Sequence, residues 1–219
     1  MASLKLKAGV ITGDALLELF AYCKKVDCAL PAVNVIGSHG ANAALAAARE
    51  AKAPVIVQLS HTGSQFYGGK SLDNSAQKAS IAGSIAGAMH VRAVAEAYGV
   101  PVVLHTDHCA KKLLPWVDGV IEAGEAYFAK NGVPLFSSHM LDLSEQPIAE
   151  NLEISARYLT RMAKMKMTLE IELGPVRRYR HRSPVGARLL GARLVGLRLV
   201  AGRLAVLAID GPRFVGWSA

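Results

Sequence analysis

Three apolar runs of this sequence end in residues able to hold a cation or move a proton. The run at 101–104 leads into His105, Thr106, Asp107 and His108; the run at 134–136 leads through Ser137 and Ser138 to His139 and Asp142; Thr168 and Leu169 lead into Glu170 and Glu172. Each side chain alone also has a plainer reading as a loop hydrogen-bonder. If the three runs lie side by side as parallel strands, however, His, Asp and Glu reach one rim, which is how a divalent metal site is assembled. Imidazole with carboxylates suits zinc or a similar borderline ion, whereas an all-oxygen set would suit magnesium. Glu170 and Glu172 share one face of a strand, and two carboxylates on a core-facing side need a cation or hydrogen bonds. Strict alternation sends Asp107 and His108 to opposite faces, so one of them must lie where the pleat has ended. By the same geometry the three-residue step from His105 to His108 points the two imidazoles apart, which argues against their use as a ligand pair. Cys109 has no basic partner on its face and reads as buried structural sulfur.

The elements that must position these residues alternate along the chain. Strand-like runs at 30–36, 54–60, 101–108, 134–141 and 168–174 are separated by helix-like stretches at 41–52, 80–98, 111–130 and 149–166, with a further helix at 14–25 ahead of the first strand. Runs apolar on both faces, each followed by a helix, indicate a parallel sheet covered on both sides. Pro54, Pro101 and Pro134 suit the first residue of a strand. Ala82, Gly83, Ala86 and Gly87 would let the 80–98 helix approach its neighbours closely. The pattern is α/β and fits either a (β/α)8 barrel or an open doubly wound sheet.

Just over half of the residues are apolar, which excludes a disordered or collagen-like chain. No secretory leader opens the sequence and no uncharged apolar stretch is long enough to span a bilayer, so a cytoplasmic protein is expected. Cys23, Cys28 and Cys109 show neither CxxC spacing nor an even count, which reads as free thiols in a reducing compartment, with an intermolecular disulfide as the alternative. Residues 1–174 are electrically balanced. Residues 175–219 carry nine arginines, no lysine, and Asp210 as their single acid, and so account for the whole net charge of +8.

The motif LHTDHCAKKLLPW at 104–116 resembles the signature of class II fructose-bisphosphate aldolases. PLFSSHMLDLS at 134–144 and TLEIELG at 168–174 follow at the family's distances, and GVITGD, LPAVN and APVIVQLS, beginning at residues 9, 30 and 53, resemble its N-terminal blocks. The likeness runs without a large gap from about residue 8 to 174. It implies a (β/α)8 barrel of the TIM type, of which about the first five βα units are present, and a homodimer. It also implies reversible cleavage of fructose 1,6-bisphosphate to dihydroxyacetone phosphate and glyceraldehyde 3-phosphate, in glycolysis and gluconeogenesis. In that family Zn2+ is the Lewis acid that stabilises developing negative charge on the substrate. Carried over by resemblance, His108 is a zinc ligand, Asp107 exchanges a proton with the aldehyde oxygen, Asp142 and Glu172 hold zinc in a second, buried position, and Ser60 and Asn34 contact the sugar bisphosphate. The family's Asn-Gly-Gly after the serine is replaced here by His61-Thr62-Gly63. A tagatose-bisphosphate aldolase is the nearest alternative, and the LLPW extension favours the fructose type.

After Gly174 the resemblance stops. The family's glycine- and glutamate-rich loop, two further zinc histidines and Gly-Ser phosphate loop have no counterpart, and His181 has the context of neither histidine. Arg188, Arg193, Arg198 and Arg203 recur every five residues, which yields a clean face on neither a helix nor a strand. Residues 175–219 therefore read as a basic tail apart from the 1–174 unit, with a frameshift after Gly174 as the leading explanation. An arm binding nucleic acid or anionic lipid is the alternative; aromatic interleaving is missing until Phe214 and Trp217, so nucleic acid is not expected as a partner. The chain is expected to be poorly folded and inactive, with an open edge at the fifth strand.

Overall fold

The computed structural model of the chain describes residues 5–175, with side chains to Leu173, and the backbone of Arg193–Val200 and Arg203–Asp210. In chain order the elements are β1 (Gly9–Val10), α1 (Asp14–Val26), β2 (Ala32–Asn34), α2 (Ser38–Ala51), β3 (Val55–Ser60), α3 (His61–Gly68), α4 (Lys78–Tyr98), β4 (Pro101–Ala110), α5 (Leu114–Asn131), β5 (Ser138–Asp142), α6 (Ile148–Ala163), β6 (Thr168–Pro175), β7 (Arg193–Val200) and β8 (Arg203–Asp210). Strands β2, β3, β4, β5 and β6 lie side by side in that order, all parallel. The five strands expected from the sequence are therefore the first units of a (β/α)8 barrel, which the described strands do not close. Strand β8 pairs antiparallel with β6, and β7 with β8, so the edge expected to be open at β6 is occupied.

Two short segments complete the sheet. β1 is too brief to show in the hydropathy pattern, yet it pairs parallel with the first half of β4. β5 pairs with the second half, from His105 onward. Ser137 joins them: its hydroxyl donates to the Ile11 carbonyl (2.7 Å) and accepts from the Leu104 amide (2.9 Å). This is why the expected strand at 134–141 begins only at Ser138. The carbonyls of Pro134 and Leu135 turn instead to the guanidinium of Arg92, which also lies 5.4 Å from the centre of the Tyr127 ring.

The helices pack by the periodicities of their sequences. α6 buries Asn151, Ser155, Tyr158 and Met162 on one stripe, and the Asn151 amide donates to the carbonyls of Leu143 and Glu172, tying the helix to the ends of β5 and β6. α3 and α4 touch backbone to backbone at Gly83, where an added Cβ would sit 1.7 Å from the Ser64 carbonyl oxygen. Small residues in α4 therefore do what their composition suggests. Trp116 is fully buried and donates its indole N–H to Ser84 Oγ (2.9 Å), linking α5 to α4. Among the described residues no helix is long and apolar enough to cross a membrane.

Candidate metal centre

Parallel strands present their C-terminal ends on one side of the sheet, and the polar residues collect there. Asn34 ends β2, Ser60 ends β3, Asp107 and His108 lie near the end of β4, Asp142 ends β5, and Glu172 lies beside it on β6. The register pairs Ser60 with Asp107 and Asp142 with Glu172.

The arrangement depends on a bulge. Between the Thr106–His139 pair and the Cys109–Leu141 pair, β4 advances one residue more than β5. The extra residue is absorbed where His108 takes φ +37°, a left-handed conformation that few non-glycine residues adopt. The pleat is thus broken at the position where alternation required a break. The bulge also overturns one expectation, because the two imidazoles do not point apart. His105 faces Glu170 (Nε2 to Oε2, 3.5 Å) and His108 faces Glu172 (Nδ1 to Oε1, 3.7 Å), on the one side that Glu170 and Glu172 share.

His108, Asp142 and Glu172 bring one ligand atom each within 4.8 Å of one another, a grouping that could hold a metal ion. His108 Nδ1 lies 3.2 Å from Asp142 Oδ2, and Nε2 lies 3.7 Å from Asp107 Oδ1. The imidazole remains 54% exposed, so it is open to a ligand from the solvent side. Asp142 divides its oxygens: Oδ1 accepts from the Ser144 hydroxyl (2.7 Å) and amide (3.3 Å), leaving Oδ2 to face His108. Burial raises the Asp142 pKa, but the Ser144 hydrogen bonds and His108 outweigh it and hold the carboxyl below its usual range. For His108, burial alone would lower the pKa. The hydrogen bond with Asp142 and the charges of Asp107, Glu172 and Asp142 win, and the imidazole is raised.

Behind this group His105 is buried, shares a hydrogen bond between Nδ1 and Ser138 Oγ (2.7 Å), and is pushed down to about 4, chiefly by burial. Glu170 is pushed up to about 7 by burial and by the nearby Asp107. Four carboxylates thus surround two imidazoles, a surplus of negative charge that favours a cation. Asp107 accepts a hydrogen bond at Oδ2 from the Asn34 amide (2.9 Å). Ser60 Oγ accepts from the Gly63 amide (3.2 Å) as the N-cap of α3.

Sequence reasoning gave Glu170 no role of its own and missed Ser144. The Asp-x-Ser spacing at 142–144, typical of a side-chain turn, was the available signal for the second. Cys109 is fully buried, and its thiol is pushed up to about 12 by burial first, as structural sulfur should be.

The sequence profile of fructose-bisphosphate aldolase class-II matches residues 14–189. The chain belongs to the class II fructose-bisphosphate aldolase family. Zinc dependence is general in that family. It is 56% identical over 173 residues to a fructose-bisphosphate aldolase of Neurospora crassa, covering 78% of this chain and 48% of that protein. With fructose-bisphosphate aldolase class 2 of Escherichia coli K12 the identity is 57% over 169 residues, covering 77% and 47%. A crystal structure of fructose-bisphosphate aldolase from Campylobacter jejuni superposes with a TM-score of 0.74 at 50% identity, covering 78% of this chain and 48% of that one. The chain spans about half the length of the curated relatives it matches. The profile match passes Gly174 into residues outside the described set, where the proposed frameshift and His181 also lie.

Proposed function

We propose that this aldolase-family chain carries the metal-binding and proton-transferring half of a site for reversible cleavage of fructose 1,6-bisphosphate, with Zn2+ as the cofactor. The observation that carries the reading is the convergence of His108, Asp142 and Glu172 beside Asp107 on one rim. The donors fit zinc, being one imidazole and two carboxylates with Asp142 already oriented by Ser144. Bound there, zinc would supply Lewis-acid stabilisation of negative charge developing on the substrate.

The chain's own groups do the rest. Asp107 stands at the rim with its Oδ2 steadied by Asn34, placed to exchange a proton with the aldehyde oxygen. Asn34 therefore serves as a positioning residue, in addition to the substrate contact the family resemblance implies. Ser60 lies across the register from Asp107 and would meet the sugar bisphosphate at the start of α3. A homodimer in the cytoplasm is the assembly and location that accompany this reading.

Among the described residues the centre has one exposed imidazole, and the family pattern calls for two more. The chain alone is accordingly expected to bind metal without measurable turnover. The test is a chimera in which residues 5–173 replace their counterpart in the E. coli relative, assayed for fructose 1,6-bisphosphate cleavage with zinc. Activity abolished by Asp107→Ala supports the reading; a folded, zinc-loaded chimera without activity contradicts it.

A further inference from the structure

Helix α1 ends in a left-handed residue, Asp27 at φ +55°, and both the Asp27 and Cys28 amides donate to the Cys23 carbonyl, the latter at 3.0 Å. The bond from Cys28 is the six-to-one closure of a Schellman motif, with Cys23 at C3 and Cys28 at C″. That closure brings the C3 and C″ side chains together, and the pair in contact is ordinarily apolar. Here both are thiols. Cys23 is pushed up to about 11, first by burial and then by Cys28. Cys23 is buried and Cys28 exposed.

We infer that Cys23 and Cys28 form a thiol–disulfide exchange site for low-molecular-weight disulfides. The spacing of five, unremarkable in sequence, becomes a facing pair only because the helix stops at Asp27. The exposed Cys28, as thiolate, attacks one sulfur of a disulfide RSSR and releases RS⁻. Cys23 then loses its proton and attacks the Cys28 sulfur of the mixed disulfide, releasing the second RS⁻. The net change is two protein thiols and RSSR converted to a Cys23–Cys28 disulfide and two RSH. Lys24 and Lys25 in the same turn suit an anionic disulfide. The α1 end leads into the start of β2, at the opposite end of the sheet from Asp107 and His108, so the exchange is separate from the metal centre and does not depend on its assignment.

The test is peptide mapping by mass spectrometry of the full chain after treatment with oxidised glutathione. The expected product is a peptide spanning Cys23 and Cys28 that has lost two hydrogens and regains them on reduction, with Cys109 unmodified. Zinc binding should be unchanged. Cys28→Ser, a substitution at an exposed position, should abolish the product. A glutathione adduct that persists on Cys28, a Cys28–Cys28 cross-link between chains, or no modification would each overturn the proposal.

Discussion

His108 Nδ1 lies 3.2 Å from Asp142 Oδ2, although the two residues come from different strands and regular alternation along β4 would not have aimed the imidazole there. The left-handed backbone at His108 supplies the aim. Asp142 in turn is fixed by Ser144, whose hydroxyl and amide both donate to Oδ1. Ser144→Ala should therefore lower zinc affinity by about 10-fold, toward the smaller end of what orienting partners of metal ligands contribute. Competition with a zinc chelator measures it, and the circular dichroism of the apo-protein should be unchanged.

Gly83 tests the helix packing. A Cβ there would overlap the Ser64 carbonyl, and backbone cannot swing aside as a side-chain end can. Gly83→Ala should cost about 3 kcal/mol, at the upper end for overpacking a tight interior. The same change at Gly124, where nothing lies within 4 Å of the added carbon, should be stabilising or neutral in the α5 helix. Urea unfolding of the two variants distinguishes them.

Histidine burial sets an acid limit. His139 is buried, shares a hydrogen bond between Nδ1 and Thr106 Oγ1 (2.7 Å), and is pushed down to about 3, first by burial and then by His105. The unfolded imidazole protonates near 6.5 while the folded one stays neutral, so the unfolded state binds the extra proton in that interval. Stability is then complete above the unfolded pKa and declines as pH falls toward the folded one, by about 1.4 kcal/mol per pH unit for this group. Unfolding free energies across that window should show the slope, and His139→Asn should make it shallower.

The parts of the fold carried by periodicity were legible in the sequence: five parallel strands, the helices between them, and the small-residue face of α4. Other parts were not, for local reasons. α3 hides in the glycine- and serine-containing stretch after Ser60, which reads as a loop until Ser60 is seen capping it. The helix expected at 111–130 begins with a tighter 3-10 turn over Lys111–Leu113 before α5, with Pro115 in its first turn. At the site, the residue types and the rim they share followed from strand ends. That His105 and His108 face the same way did not, because a bulge is a one-residue mismatch between two strands and neither strand's own pattern records it.

The central claim is that His108, Asp142 and Glu172 together hold a metal ion. Equilibrium dialysis of the full chain against zinc, repeated with His108→Ala, Asp142→Asn and Glu172→Gln, tests it most directly. One zinc per chain is expected, with affinity reduced by at least about 10-fold in each variant. Zinc bound equally well by all three variants would contradict the account and move the metal elsewhere in the chain.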